Sequence, residues 1–268
     1  MVSQSHEGKF KRIATSQAKY IKSLHCKKGR IRANSFLVEG EKNVRSLLTS
    51  HYQVLLLVAT PAFLTKYAHL LNNSAMEVFE IDRVALTNLS TLEENYTALA
   101  VATIPPPQAP CSTQPYTLVL DNIQNPGNLG TLIRLADWYG LSGIVCSPTT
   151  VELYNPKVLQ ASMGSFINVP VHYTDLPSYL AAATVPIIGT FTNGQSIHAK
   201  ETIYPTEGLI LIGNEVHGIH ETLLPYIQHK LTIPRYGHAE SLNAALAAAI
   251  VCDNVMRVLH QRPSAADA

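Results

Sequence analysis

The chain has 268 residues, 46% hydrophobic and 15% charged, with a formal net charge of +1. That length suits two domains and that apolar share can fill their cores, which excludes a disordered tail. The longest strongly apolar stretch, Val54 to Ala59, is too short to cross a bilayer, and the opening MVSQSHEGKFKR carries no apolar signal region, so neither a membrane nor a secretory route is expected.

From the N-terminus onward, the near-neutral total hides a segregation. Residues 1–45 hold 11 Lys and Arg against three acids (Glu7, Glu39 and Glu41), while the remaining residues hold nine basic and 16 acidic side chains. A local positive field of this kind attracts a polyanion. The run Lys27-Lys28-Gly29-Arg30-Ile31-Arg32 reads as a turn-like stretch of exposed cations suited to phosphate contacts, which makes nucleic acid a candidate partner. A basic N-terminal helix leads into Phe36-Leu37-Val38-Glu39-Gly40, a second helix to about Leu48, a strand at Val54–Ala59, and short alternations ending in a strand at Ala98–Ile104.

Residues 104–115 carry five prolines, which neither a helix nor a central strand tolerates, and read as a stiff linker. They divide the chain into 1–103, 104–115 and 116–268. Beyond the linker, apolar strands at Thr117–Leu120, Gly143–Cys146, Val169–His172, Ile187–Thr190, Leu209–Ile212 and Leu231–Ile233 alternate with helices, the pattern of a parallel sheet covered on both faces. The last helix, about Leu242–His260, is so apolar in its first half that it demands burial in a core or against a second subunit. Cys26, Cys111, Cys146 and Cys252 lie far apart, with no CxxC pair. A soluble cytoplasmic protein without structural zinc is expected.

Three segments at carboxyl ends of strands carry the candidate chemistry, since open α/β sheets bind ligands there. In the first, Asp121 to Arg134, Gly127 and Gly130 allow a tight turn and Asn128 stands as the N-cap of a helix Leu129–Gly140, with Arg134 about two turns in. In the second, Gly213-Asn214-Glu215 follows a buried strand and offers backbone N–H groups beside one carboxylate. His217 and His220 have no third ligand nearby, and no metal is expected. In the third, Ile233-Pro234 leads to Ser241-Leu242-Asn243, with Ser241 as a good N-cap and Asn243 placed in the first helical turn. No GxSxG elbow occurs, and the absence of a GxGxxG turn after the first strand argues against a nicotinamide-dependent oxidoreductase.

The order Asn128-x5-Arg134, Gly213-x-Glu215, Ile233-Pro234 and Ser241-Leu242-Asn243 resembles the three motifs of the SpoU (TrmH-type) RNA 2′-O-methyltransferases of the SPOUT superfamily, over about residues 116–262. The N-terminal unit resembles the L30e-like RNA-binding domain attached to many ribosomal-RNA members, although the usual Pro-Gln-Gly segment is missing near Leu92–Thr97. The resemblance implies an α/β fold with a deep trefoil knot in a C-terminal parallel-sheet domain, a homodimer, and S-adenosylmethionine as cofactor. It places the cofactor against Thr190, Gly213, Ile233 and Leu242. It assigns catalysis to Arg134, supported by Asn128, Glu215, Ser241 and Asn243. A guanidinium is always protonated in proteins, so Arg134 suits stabilising an emerging alkoxide better than accepting its proton. The expected reaction is methyl transfer to a ribose 2′-hydroxyl, in 23S ribosomal RNA ahead of transfer RNA. A non-catalytic ribosome-assembly protein is the competing reading, against which the joint presence of five polar site residues weighs.

Overall fold

The computed structural model describes residues 11–71, 74–109, 115–202 and 204–261. Residues 110–114 of the linker, with Cys111, and the basic Lys9 lie outside them. The described residues fall into two compact units, one within 1–106 and 154–167 and the other within 107–153 and 168–268.

The first unit contains β1 (Lys11–Arg12), α1 (Thr15–Ser23), α2 (Lys27–Ala33), β2 (Ser35–Glu39), α3 (Glu41–Leu48), β3 (Val54–Ala59), α4 (Pro61–Lys66), β4 (Glu77–Glu80), α5 (Arg83–Leu89) and β5 (Ala98–Thr103). Its sheet runs β1-β4-β3-β5-β2, with β5 antiparallel to both neighbours. Ile21, Leu24, Leu37, Val58, Phe79, Leu86 and Leu99 fill one core. The stretch Lys27–Arg32 is not a turn but lies within α2. Gly29 is there for closeness, since a Cβ would fall 1.8 Å from the Ser23 carbonyl oxygen. Arg30 is buried, donating to the Leu24 and His25 carbonyls at 2.7 and 3.0 Å. Lys19, Lys22, Lys27, Lys28 and Arg32 remain exposed. The departure at Leu92–Thr97 is stabilised locally. Buried Glu39 accepts from the Thr91 N–H at 2.9 Å and from the Ser90 and Thr91 hydroxyls, and buried Asn95 donates to the Ala98 carbonyl.

The second unit begins with β6 (Tyr116–Leu120), α6 (Pro126–Trp138) and β7 (Ile144–Cys146). The chain then contributes α7 (Pro156–Ser162) to the first unit, where Asn43 donates to Gln160 at 3.0 Å and the Phe36 ring lies 4.5 Å from Tyr154 and 6.2 Å from Phe166. It returns with β8 (Val171–Tyr173), α8 (Leu176–Ala181), β9 (Ile187–Phe191), β10 (Gln195–Ser196), β11 (Gly208–Ile212), β12 (His229–Thr232) and α9 (Ala244–Gln261). The sheet is parallel throughout, ordered β10-β12-β9-β11-β6-β7-β8. Strands β6 and β11, wholly buried, form its centre. Helix α9 buries Ala244, Ala248, Val251, Cys252 and Val255 and packs on α6, β9 and β11, but leaves Leu246 58% exposed. Among the described residues no helix is long and apolar enough to cross a membrane.

Candidate active site

The sheet order sets β12, β9, β11 and β6 side by side, so the segments leaving their carboxyl ends converge on one edge of the second unit. Helix α6 starts earlier than its sequence suggested. Asn125 is the cap, its Oδ1 accepting from the Gly127 and Asn128 N–H groups at 2.8 and 3.2 Å. Pro126 follows at the first helical position, where its fixed φ fits and its missing N–H is no loss. Asn128 thus stands inside the first turn, and its amide is free to act elsewhere.

After β11, the chain closes a tight loop through paired backbone bonds between Asn214 and Gly218, each 2.9 Å. The Asn214 Oδ1 accepts from the Val216 and His217 N–H groups, and its Nδ2 donates to the Asn122 carbonyl at 2.8 Å, tying the β11 loop to the β6 loop. Gly213 has no room for a side chain, because a Cβ would meet the Gly218 carbonyl carbon at 2.2 Å. The loop turns Glu215 toward Asn128, whose Nδ2 donates to the Glu215 carboxylate.

The third member comes from α9. Its cap is Asn243, not Ser241, for the Asn243 Oδ1 accepts from Ala245 N at 3.0 Å and Leu246 N at 3.4 Å while the Asn243 Nδ2 donates to the Asn128 Oδ1 at 3.0 Å. Asn is as good a cap as Ser, and here it also reaches across to α6. The result is a directional chain, Asn243 to Asn128 to Glu215, on the wall of a cavity of about 650 Å³ shared with Asn122, Gln124, Asn214 and His217. Its polarity is fixed, because a carboxylate only accepts and each amide has one face for each role.

Of the five residues expected to be catalytic, Asn128, Glu215 and Asn243 are therefore in contact. Arg134 and Ser241 are exposed and, among the described residues, their side chains make no hydrogen bond or ion pair. Arg134 lies six residues beyond Asn128, about 240° around the helix, which separates their faces. Of the residues expected at the cofactor, Gly213 and Ile233 directly follow β11 and β12, and Leu242 precedes the α9 cap. Among the described residues no hydrogen bond engages their peptide groups. Thr190, on β9, donates its hydroxyl to the Leu211 carbonyl at 3.3 Å. Open peptide donors and acceptors beside two aliphatic side chains are the chemistry that holds an adenine edge and covers its faces, so S-adenosylmethionine fits this donor set. Asn214 and Asn125, the residues that shape both loops, were missed, although Asn before Pro and Asn two residues before a turn N–H are recognisable signals.

Comparison with known proteins agrees with this layout. Residues 115–253 match the SpoU rRNA methylase family, and residues 15–100 match the MRM3-like substrate binding domain. The 23S rRNA (guanosine(2553)-2′-O)-methyltransferase RlmP of Bacillus subtilis (strain 168) is 35% identical over 237 residues, covering 86% of this chain and 92% of that one. A TrmH-family structure from Porphyromonas gingivalis superimposes with a TM-score of 0.81 at 32% identity, covering 92% of this chain and 99% of its own. The AdoMet-bound rRNA methyltransferase from Sinorhizobium meliloti gives a TM-score of 0.81 at 25% identity, covering 96% and 100%. A family match spanning the whole parallel-sheet region, joined to a relative alike along nearly its full length, establishes that the chain belongs to the SpoU rRNA methylase family.

Proposed function

We propose that the chain transfers a methyl group from S-adenosylmethionine to a ribose 2′-hydroxyl of ribosomal RNA, with 23S rRNA as the substrate. The observation that carries this reading is the Asn243–Asn128–Glu215 chain, assembled on a cavity wall from the start of α6, the loop after β11 and the cap of α9, with Gly213 and Leu242 next in sequence to the lining residues Asn214 and Asn243. The B. subtilis relative bears that activity in its name.

When bound, the cofactor supplies a methyl group on a positively charged sulfur. The protein's part is to place the 2′-hydroxyl in line, steady the oxygen as charge develops, and let the proton leave. Asn128 and Asn243 fix each other, and Glu215 orients the Asn128 amide toward the sugar. Ser241, exposed beside the α9 cap, completes the ribose contacts. Arg134 steadies the developing alkoxide or holds the adjoining phosphate, which or a water then receives the proton. Gly213, Ile233 and Leu242 hold the cofactor through peptide groups and aliphatic cover, with Thr190 behind them.

Arg134 reaches this site in a homodimer. Trp138, one turn along α6, is 84% exposed, and Leu246 stands bare on the adjacent α9. A second copy covering this helix pair buries both and sets Arg134 at the site beside the interface. The path of the second unit is a deep trefoil knot, a reading supported by β12 entering between β10 and β9 before α9 packs back on β9 and β11. Residues 1–103 hold the RNA through the exposed cations of α1 and α2, and the 2′-hydroxyl requirement excludes DNA. Free thiols at Cys26, Cys146 and Cys252 support a reducing, cytoplasmic setting.

Ribosomal RNA from a strain lacking this gene, incubated with the chain and tritiated S-adenosylmethionine, should acquire label on ribose. Label on a base, or none, refutes the reaction. Arg134→Ala should keep cofactor affinity and lose transfer by roughly 100-fold or more, the scale of removing one oxyanion donor. Wild-type turnover in that variant removes Arg134 from the site.

A further inference from the structure

A second cavity, of about 340 Å³, opens at the carboxyl ends of β6, β7 and β8 and shares Asn122, Asn214 and His217 with the cavity over Asn128. The transfer reaction leaves it unused. Its walls include the apolar Pro148, Leu176, Pro177 and Leu223, and its polar groups include the carboxylates of Asp121 and Asp175. Asp121 is only 7% exposed. Its Oδ2 accepts the His220 N–H at 2.8 Å, and among the described residues its Oδ1 accepts nothing. Asp175 caps α8 through Oδ2, accepting from Ser178 N at 3.0 Å and the Ser178 hydroxyl at 2.6 Å, bonds that keep its carboxyl below the ordinary range and ionised.

Two carboxylates repel phosphate and every other anion, which leaves a neutral or a cationic occupant, and the apolar lining favours the neutral one. Apolar walls ask for a flat apolar body, and spare carboxylate oxygens ask for an edge that bears N–H groups. The volume stands at the small end of ligand pockets. A nucleobase has those properties, and proteins that read single-stranded RNA splay bases out and bond their Watson–Crick edges. Resting on the ribose-methylation reading, we propose that this cavity receives one base of the RNA beside the methylated ribose, its exocyclic amino group donating to the Asp121 Oδ1. Uracil, which turns a carbonyl to that position, is disfavoured.

Fluorescence anisotropy with labelled hexacytidylate and hexauridylate RNA tests this on the full chain, because cytosine and uracil differ by an amino group against a carbonyl. The cytidylate should bind about fivefold tighter or better, the scale of one unmatched hydrogen bond. In Asp121→Asn the new amide oxygen must still accept the His220 N–H, which turns its NH2 into the cavity. The preference should then vanish or reverse. Should that buried change impair folding, Thr149→Trp decides the matter. Thr149 is exposed on the cavity rim, and the indole should block entry, weaken hexacytidylate binding and erase the preference while S-adenosylmethionine affinity holds. Equal binding of both RNAs by the wild type, or unchanged cytidylate binding in Thr149→Trp, overturns the proposal. Neither measurement involves methyl transfer. Binding as expected without ribose methylation keeps the pocket and removes the reaction; methylation undisturbed by Thr149→Trp does the reverse.

Discussion

Replacing Gly213 by alanine is the sharpest test of how the β11 loop is built. The added Cβ would stand 2.2 Å from the Gly218 carbonyl carbon, 2.3 Å from the Ile219 nitrogen and 2.5 Å from the Gly218 carbonyl oxygen. All three are backbone atoms, and carbon atoms rest about 3.5–4 Å apart, so the loop must open by more than about 1 Å. Opening parts the two 2.9 Å bonds between Asn214 and Gly218 and carries Glu215 away from Asn128. Overpacking costs about 1–3 kcal/mol and each lost backbone bond about 1 kcal/mol, which together give roughly 3–5 kcal/mol. For a chain of this size the thermal midpoint should fall by roughly 6–20 °C. Two further glycines calibrate the result. At Gly218 an added Cβ meets nothing within 4 Å, but φ is +69°, so Gly218→Ala should cost about 1–2 kcal/mol of left-handed strain. At Gly237 there is open space and no positive φ, so Gly237→Ala should stay within about 0.5 kcal/mol of wild type. Scanning calorimetry with and without S-adenosylmethionine reads the series. A Gly213→Ala variant melting within about 2 °C of wild type and binding cofactor normally refutes the steric argument.

The remaining expectations concern other parts of the molecule. Asn128→Asp sets a second carboxylate against Glu215 and removes its donor; methylation of ribosomal RNA should fall roughly 100-fold while calorimetric cofactor affinity stays within about threefold, and preserved turnover would show the amide chain to be idle. Reversing Lys27, Lys28 and Arg32 to Glu should weaken RNA binding and flatten its log–log salt dependence by about 2 units in filter assays; an unchanged slope removes α2 from the RNA surface. Burial raises the thiol pKa of Cys146 and pushes that of Cys252 up to about 12, above the unfolded value near 8.5. The folded state then holds protons that the unfolded chain releases. Stability from these thiols is complete below pH ~8.5 and declines by about 1.4 kcal/mol per pH unit for each thiol as pH climbs toward their folded values. Denaturant midpoints at pH 8, 9 and 10 should show that slope reduced in Cys252→Ala, and an equal slope in both proteins contradicts it.

Six strands of the second sheet were legible to within two residues; β6, β7 and β11 are buried throughout, and a strand buried on both faces must be an apolar run. Strand β10, two residues long, has no such signature. Helix starts were misread by up to three residues. At Asn125-Pro126 the proline dictates the start, and at Asn243 the cap is the residue that also bonds Asn128. Lys27–Arg32 looked like a loop because glycine usually marks a turn, whereas Gly29 serves a helix contact and Arg30 is consumed by two carbonyls. The meeting of Asn128 with residues 87 and 115 positions later has no local signal at all. Only the order of the motifs pointed to it.

The excursion of residues 154–167 bears on how such enzymes can be recombined. The methylase family match runs through Tyr154–Ile167, yet those residues complete the core around Phe36 and bond Asn43. A chimera that exchanges only residues 1–106 with a relative would leave α7 facing foreign side chains. Transplanting RNA recognition therefore takes two grafts, the second buried in the middle of what sequence comparison draws as the catalytic half.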